Sequence, residues 1–256
     1  MNFQLTIVKV GGKVIEEPDA LKALLKDFSL IAGYKVLIHG GGRTATELAE
    51  KLGVESKMVN GRRITDEETL KIATMVYAGL VNKTIVAQLQ ALRVDAIGLT
   101  GADMNLILSL KRPVTDIDYG FVGDIKDVNY KVLSELLNQS YTPVLAPLTH
   151  DGEGNLLNTN ADTIAAETAR ALAYNFNVRL IYCFEKKGVL MDENDENSVI
   201  QNLNLELYQQ YKEEGIIKGG MIPKLDNAFR ALASGVREII ITSAAEMNTG
   251  KGTYIQ

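Results

Sequence analysis

The chain has 256 residues, 46% of them apolar and 23% charged, with a net charge of −5 and a pI near 5.2. That length buries a sizeable core, as one large domain or two closely packed lobes, and the acidic balance argues against nucleic acid or anionic membrane as the main partner. A single cysteine, Cys183, excludes an intramolecular disulfide and suits a reducing compartment.

Met1-Asn2-Phe3-Gln4-Leu5 runs straight into a strand pattern, without the basic and apolar segments of a signal peptide. No apolar stretch approaches the roughly 18 residues of a membrane span, so a cytoplasmic protein is expected. Leu5 to Val10 reads as the first strand and ends at Gly11-Gly12. Pro18 opens a helix to about Ile31 with Leu21, Leu24, Leu25 and Phe28 on one face. Val36-Leu37-Ile38 is a second strand, ending in His39-Gly40-Gly41-Gly42, with a helix following to Leu52. Asp66 is placed to cap a long helix reaching about Leu92. Further strands are expected at Ala96–Leu99, Pro143–Ala146, Arg179–Phe184 and Glu238–Ile241, with a hairpin between 105 and 130 turning near Asp118-Tyr119-Gly120. Asp151 to Asn155 is turn chemistry leading into Leu156-Leu157, and helices are expected at 130–139, 161–174, 203–213 and 221–234. Short apolar runs alternating with helical patterns predict an α/β fold: a three-layer αβα sandwich around an open, mainly parallel sheet. A lobe boundary is expected near Tyr174-Asn175, unmarked by composition.

Three glycine clusters could carry chemistry: Gly11-Gly12, Gly40-Gly41-Gly42 and Gly219-Gly220. The first two end consecutive strands, where an open parallel sheet binds ligands and helix N-termini offer N–H groups. Glycine lets the backbone approach a phosphate with no Cβ in the way; each cluster alone also reads as a tight turn. Gly250-Lys251-Gly252-Thr253 lacks the features of a P-loop. Gly40-x-Gly42-x-x-Ala45 matches a loose dinucleotide fingerprint, but the segment before Asp66 does not read as the strand that fingerprint needs.

Lys9 is the odd residue in a buried strand, two positions before a glycine pair, where an ammonium would sit beside phosphate; the rival is a lysine snorkelling from an edge. Lys224 falls in the first turns of a helix, where the dipole disfavours a cation unless an anion is bound. In Asn158-Thr159-Asn160-Ala161-Asp162, Asn160 can cap the next helix and Asp162 can hold two phosphate-binding lysines in place, while Asn158 projects beside Asn160. Of Arg62 and Arg63, one is expected to clamp an acidic substrate through its planar fork and the other to be solvated. Two histidines and one cysteine give no metal cluster. Asp192 to Asn197 lacks the glycine and glutamate of a calcium loop.

Taken together these residues resemble the amino-acid kinases, and within them the branch acting on acylated glutamate. The resemblance covers essentially the whole chain. Lys9-Val10-Gly11-Gly12 is similar to the family's K-x-G-G, His39-Gly40-Gly41-Gly42 to its second glycine loop, and Asn60-Gly61-Arg62-Arg63-Ile64-Thr65 to its N-G-x-R-x-T. Asn158-Thr159-Asn160-Ala161-Asp162 resembles N-x-N-A-D, and Gly220-Met221-Ile222-Pro223-Lys224 resembles G-M-x-x-K.

The resemblance implies ATP-dependent phosphorylation of the γ-carboxylate of N-acetyl-L-glutamate, in arginine biosynthesis, with Mg²⁺ held mainly through the phosphates. It implies that Lys9 and Lys224 stabilise the phosphoryl group in transit and Asp162 orients both. Backbone N–H groups of Gly11, Gly12, Gly41 and Gly42 would hold the phosphates and the acceptor carboxylate. Arg63 and Asn158, with Asn160 beside them, would bind the substrate's α-carboxylate region. Glu185, Lys186, Lys187 and Gly188, with Ile216, Ile217 and Lys218, match the segments around the nucleotide. Residues 1–174 would form the acyl-glutamate-binding and dimerisation lobe and 175–256 the nucleotide lobe. No extra helix precedes the first strand, so a homodimer insensitive to arginine is expected.

Two departures leave alternatives open. Phe184-Glu185-Lys186-Lys187-Gly188 stands where the family usually has T-D-x-x-G, and Gly101 to Asn105 differs from the usual acyl-recognition sequence. N-succinyl-L-glutamate is thus an alternative acceptor. A sister kinase of the family and a non-catalytic nucleotide sensor are the remaining rivals.

Overall fold

The computed structural model of the chain describes residues 3–59 and 62–256. Strand β1 (Phe3–Val10) runs down the middle of an eight-stranded sheet, with β2 (Tyr34–His39) on one side. The short helix α1 (Gly12–Glu16) and then α2 (Pro18–Ser29) lie between them. α3 (Gly42–Lys51) follows β2 and leads through the two-residue strands β3 (Met58–Val59) and β4 (Arg62–Arg63). Helix α4 (Glu67–Thr74) continues through a π-helical stretch, Met75–Val81, into α5 (Asn82–Ala91) and edge strand β5 (Ala96–Leu99). Asp66 accepts from the Thr69 N–H at 2.8 Å, so the expected cap is real.

Next come β6 (Ile107–Lys111), β7 (Gly123–Val128), α6 (Tyr130–Asn138), β8 (Thr142–Leu145), β9 (Leu148–His150) and β10 (Leu156–Asn158). The remaining elements are α7 (Ala161–Leu172), β11 (Phe176–Phe184), β12 (Asn202–Leu203), α8 (Leu205–Glu213), α9 (Met221–Ala233), β13 (Glu238–Ser243) and β14 (Thr253–Ile255). The sheet order is β12-β14-β13-β11-β1-β2-β8-β5, parallel except for β14 against β13. A second sheet, β10-β9-β6-β7, contains the expected hairpin between 105 and 130.

Alternation along β1 sorts the core. Leu5 and Ile7 join the cluster that includes Ile164, Leu172, Leu225 and Ala228 of α7 and α9. Val8 and Val10 join the one with Leu21, Leu24, Leu25 and Phe28 of α2 and Ile72 and Ile85 of the long helix. Helices therefore cover both faces of the sheet, the three-layer arrangement expected from the alternating pattern.

The continuous helix Glu67–Ala91 spans 25 residues and holds an 18-residue window of mean hydropathy 1.2, so by length and composition alone it meets the test for a membrane span. That corrects the expectation that no segment comes close. Its apolarity has another use here, since Ile72, Val76, Ile85 and Leu89 are buried in the core.

Candidate active site

Strands β1, β2 and β11 end together, and the segments that leave them form a cleft. Lys9 sits one residue before the end of β1, between Ile38 and Tyr182 of its neighbours, and on the face that α7 covers. The first turn of α7 brings Asp162 to it, with Lys9 Nζ 2.7 Å from Asp162 Oδ1. The approach angle leaves Oδ1 without a directed hydrogen bond, so the contact is chiefly one of charge. Lys9 is 8% exposed, which rules out the snorkelling edge lysine: this ammonium is buried against a carboxylate.

Lys224, in the first turn of α9, rests over the Phe184 ring at 4.2 Å from its centroid. Burial lowers the Lys224 pKa, and the nearby Lys9 lowers it further, against the pull of Asp162. Burial pushes Asp162 up, but Lys9 and then Lys224 outweigh it and hold the carboxyl below its ordinary value. The carboxylate thus stands within the field of both ammoniums, as the sequence suggested.

The two glycine loops differ in what they leave free. Gly11 N–H donates to the Cys183 carbonyl at 2.8 Å, and Gly40 N–H to the Val10 carbonyl at 3.1 Å. The expectation that Gly11 N–H meets phosphate is therefore corrected: it continues the sheet ladder, and the residue contributes a Cβ-free wall. Gly12 begins α1 and Gly42 begins α3, with Gly41 as the α3 N-cap, so their N–H groups precede any intrahelical partner. Gly41 has φ +151, and a Cβ there would approach the Tyr77 ring to 2.9 Å.

Beneath this loop His39 is fully buried. Its Nδ1–H donates to the Gly40 carbonyl at 2.7 Å, and its Nε2 accepts from Asn82 Nδ2 at 3.1 Å. Burial drives its pKa down to about 4, so the ring is neutral. Asn82 Nδ2 also donates to the Val144 carbonyl at 2.9 Å, which ties the long helix to β8 and the floor of the loop.

On the far side, Arg63 donates to Gly42 O at 2.7 Å, Thr46 Oγ1 at 2.8 Å and Ser56 Oγ at 2.8 Å. Asn158 donates to Thr65 Oγ1 at 3.0 Å. The loop 119–122 threads between these two segments: Thr65 N–H donates to Tyr119 O, Phe121 N–H to Thr65 O, and Asn158 N–H to Phe121 O. Gly120 has φ +70, and a side chain there would run into the Thr65 carbonyl. Asn160 caps α7, accepting from the N–H groups of Asp162 and Thr163 at 2.8 and 3.1 Å, so its carbonyl is committed to the helix. Asn60 and Gly61 lie outside the described residues.

Two cavities meet here. The larger, about 910 Å³, is walled by Glu185, Lys186, Gly188, Ile216, Ile217, Lys218 and the start of α9. The smaller, about 370 Å³, is walled by Gly41, Gly42, Arg63, Tyr77, Asn158 and Pro147. Lys9, Gly12, Arg62, Asn160, Asp162 and Glu185 face both.

Three sequence expectations need correction or extension. Lys187 lines a separate hollow with Glu246 and Lys251, whereas Glu185, Lys186 and Gly188 line the larger cavity. Arg62 is not a solvated spare, since it is half-buried at the junction of the two cavities. Tyr77 and Asn82 were missed. Both lie along or just after the π-helical stretch, where the wider turn breaks the 3.6-residue pattern; that local under-winding leaves no simple signal in the sequence. Among the described residues no group of three His, Cys, Asp or Glu side chains is placed to hold a metal ion.

A cleft at the carboxyl ends of parallel strands, with two ammoniums around one carboxylate and free helix N-termini on either side, defines an α/β protein built to handle phosphoryl groups. The sequence matches the model of the amino acid kinase family over residues 4–243, and the chain belongs to that family. It is 63% identical to the acetylglutamate kinase of Parabacteroides distasonis over 252 residues, covering 98% of this chain and 99% of that one. It is also 63% identical to the acetylglutamate kinase of Phocaeicola vulgatus, with both chains fully covered. The fold is shared with N-acetylglutamate synthase from Neisseria gonorrhoeae complexed with coenzyme A and N-acetyl-glutamate, at TM-score 0.84 and 23% identity, over 98% of this chain and 59% of that one.

Proposed function

We propose that the chain transfers the γ-phosphoryl group of ATP to the γ-carboxylate of N-acetyl-L-glutamate, giving the acyl phosphate and ADP, as a step of arginine biosynthesis. One observation carries this reading beyond its relatives: the two adjoining cavities share Lys9, Gly12 and Asp162 at their junction. A donor in one and an acceptor in the other would meet at the buried ammonium.

A carboxylate oxygen attacks the γ-phosphorus while the bond to the β,γ-bridging oxygen breaks and ADP leaves with the electron pair. The acceptor is already ionised, so the barrier is repulsion between anions and the cost of alignment rather than removal of a proton. Lys9 and Lys224 act on the phosphoryl oxygens as they spread into the transition state, and Asp162 fixes where those ammoniums sit. Gly12, Gly41 and Gly42 supply backbone N–H groups to phosphate and acceptor.

Arg63 and Asn158 bind the acceptor's α-carboxylate region, with Asn160 framing it. Gly11, Glu185, Lys186, Gly188, Ile216, Ile217 and Lys218 receive the nucleotide. Of the two described carboxylates at the junction, the half-buried Asp162 is engaged by Lys9 and Glu185 is exposed, so the donor set fits a Mg²⁺ carried on the phosphates rather than held by the protein. When bound, such an ion would supply charge neutralisation on the phosphates.

Sheet order supports a division of labour between residues 1–174 and 175–256. The first part contributes the contiguous strands β1, β2, β8 and β5, and the second contributes β11, β13, β14 and β12. The exposed Met75 and Leu80 of the long helix suit a dimer contact in the first part, which sedimentation equilibrium would test. Hydroxylamine trapping tests the reaction: acyl hydroxamate should accumulate only with both ATP and N-acetyl- or N-succinyl-L-glutamate, and its absence with either acceptor would sink the reading. Nucleotide binding without turnover would mark a sensor instead.

A further inference from the structure

Most arginines whose contacts are defined in this fold sit beside a carboxylate. Arg43 meets Glu16, Arg112 meets Asp124, Arg170 meets Glu167 and Arg179 meets Glu238. The cleft is different. Arg63 uses its fork on neutral oxygens at the α-carboxylate pocket proposed above. Arg62, half-buried between the two cavities, makes no ion pair or side-chain hydrogen bond among the described residues.

Its surroundings make that isolation costly. Burial lowers its pKa most, and the positive charge of Arg112 adds to the effect; Asp124 pulls the other way but is already bonded to Arg112. Arg230 of α9 lines the larger cavity and repels Arg62 as well, and its own guanidinium donates only to the neutral Asn227 Oδ1. A guanidinium remains charged under these conditions. Both guanidiniums thus line one cavity without an ion pair among the described residues, while its Asp162 is engaged by Lys9 and its Asp226 by the Tyr208 hydroxyl, an arrangement that an anionic ligand would relieve.

We propose that Arg62, with Arg230 lining the same cavity, forms an oxyanion subsite separate from the Lys9–Lys224 centre and from the Arg63–Asn158 pocket. The subsite takes a terminal oxyanion of a bound ligand, either phosphoryl oxygens of the nucleotide or a second carboxylate at the far end of the acyl chain. Both sources offer the same planar pair of oxygens to an arginine fork, and both could reach a residue that borders both cavities. The subsite rests on the functional reading above and adds a ligand contact to it.

The test is steady-state kinetics on Arg62→Met and Arg230→Met with ATP, N-acetyl-L-glutamate and N-succinyl-L-glutamate, after the wild-type chain has been assayed for acyl phosphate. Failure of the wild type to make acyl phosphate with either acceptor counts against the functional reading, and AMP-PNP and acceptor affinities by calorimetry then test the subsite by themselves. Arg62→Met should raise the KM of one ligand about tenfold or more, Arg230→Met should raise the same KM by a smaller factor, and Arg62→Lys should recover part of the loss. A rise for ATP alone assigns phosphoryl oxygens; a rise for the succinyl acceptor with the acetyl acceptor unchanged assigns the second carboxylate. The proposal is overturned if all three constants stay within twofold, if the two variants act on different ligands, or if both acceptors weaken equally, which would place Arg62 on the shared α-carboxylate. Thermal unfolding of each variant distinguishes a lost contact from a lost fold.

Discussion

The walls of the larger cavity come from strand ends and from the turn leading into α9, held by few cross-links: Lys186 reaches Glu193 O at 3.4 Å, and Lys218 faces Glu193 at 3.4 Å on the surface. The walls of the smaller cavity are more heavily cross-linked. Loop 119–122 bonds to Thr65 on one side and Asn158 on the other, while Arg63 binds Gly42, Thr46 and Ser56 at once. A nucleotide brings many contacts of its own and tolerates a loose receptor. A small acceptor carboxylate must be aimed at one phosphorus, and ordering its pocket in advance removes part of the cost of alignment.

The sharpest way to probe the contrast is at the seam. Lys9→Ala should lower kcat by about a thousandfold, the scale of losing one group that meets developing charge in the transition state. Nucleotide affinity should change by only a few-fold, since the larger cavity keeps its other walls. Single-turnover rates with a parallel binding titration measure both, and equal losses in the two would contradict the role given to Lys9.

Gly120 tests whether the smaller cavity depends on its lacing. A Cβ at φ +70 is strained in any surroundings, and here it also meets the Thr65 carbonyl. Gly120→Ala should raise the KM for the acceptor by roughly ten- to a hundredfold while the ATP KM stays within about twofold. A uniform loss on both ligands would show that the two cavities are one cooperative unit.

The floor common to both responds to pH. Because the folded pKa of His39 lies near 4, below the ordinary 6.5, the unfolded chain binds a proton that the folded chain refuses between those values. Stability is then fully present above about pH 6.5 and is lost as pH falls towards 4, by on the order of 3 kcal/mol in all. His39→Gln should flatten that slope in urea melts, and an unchanged slope would mean that another group dominates.

Much of this was legible in the sequence, and the reasons are local ones. A lysine inside a buried strand followed by two glycines, or an acid two residues after a helix cap, is visible because strand alternation and capping chemistry act over a few residues. The main elements followed from the same short-range patterns. What escaped depends on tertiary placement. Nothing near Gly11 announces that Cys183, 172 positions on, will take its N–H. The work of Asn82 at His39 and Val144 and the approach of Tyr77 to Gly41 depend on how the long helix docks on the sheet. Residue type does not separate Arg62 from Arg63; the family pattern singles out Arg63, and the fold gives Arg63 a set of partners while leaving Arg62 without one among the described residues.

The smallest expected effect marks the border of the looser half. Lys186 and Lys187 are adjacent and chemically identical, yet Lys186 lines the larger cavity and Lys187 the separate hollow by Glu246 and Lys251. Lys187→Ala should leave the ATP KM unchanged within error, whereas Lys186→Ala should raise it by about two- to fivefold, the upper range of one solvent-screened cation–phosphate contact. Kinetics in varied salt sharpen the distinction, because a cation that meets phosphate in a solvent-open wall loses its effect as ionic strength rises and one that does not meet it has no effect to lose. If both substitutions proved equal, the turn after β11 would have to rearrange when nucleotide binds, and the larger cavity would be shaped by its ligand rather than before it.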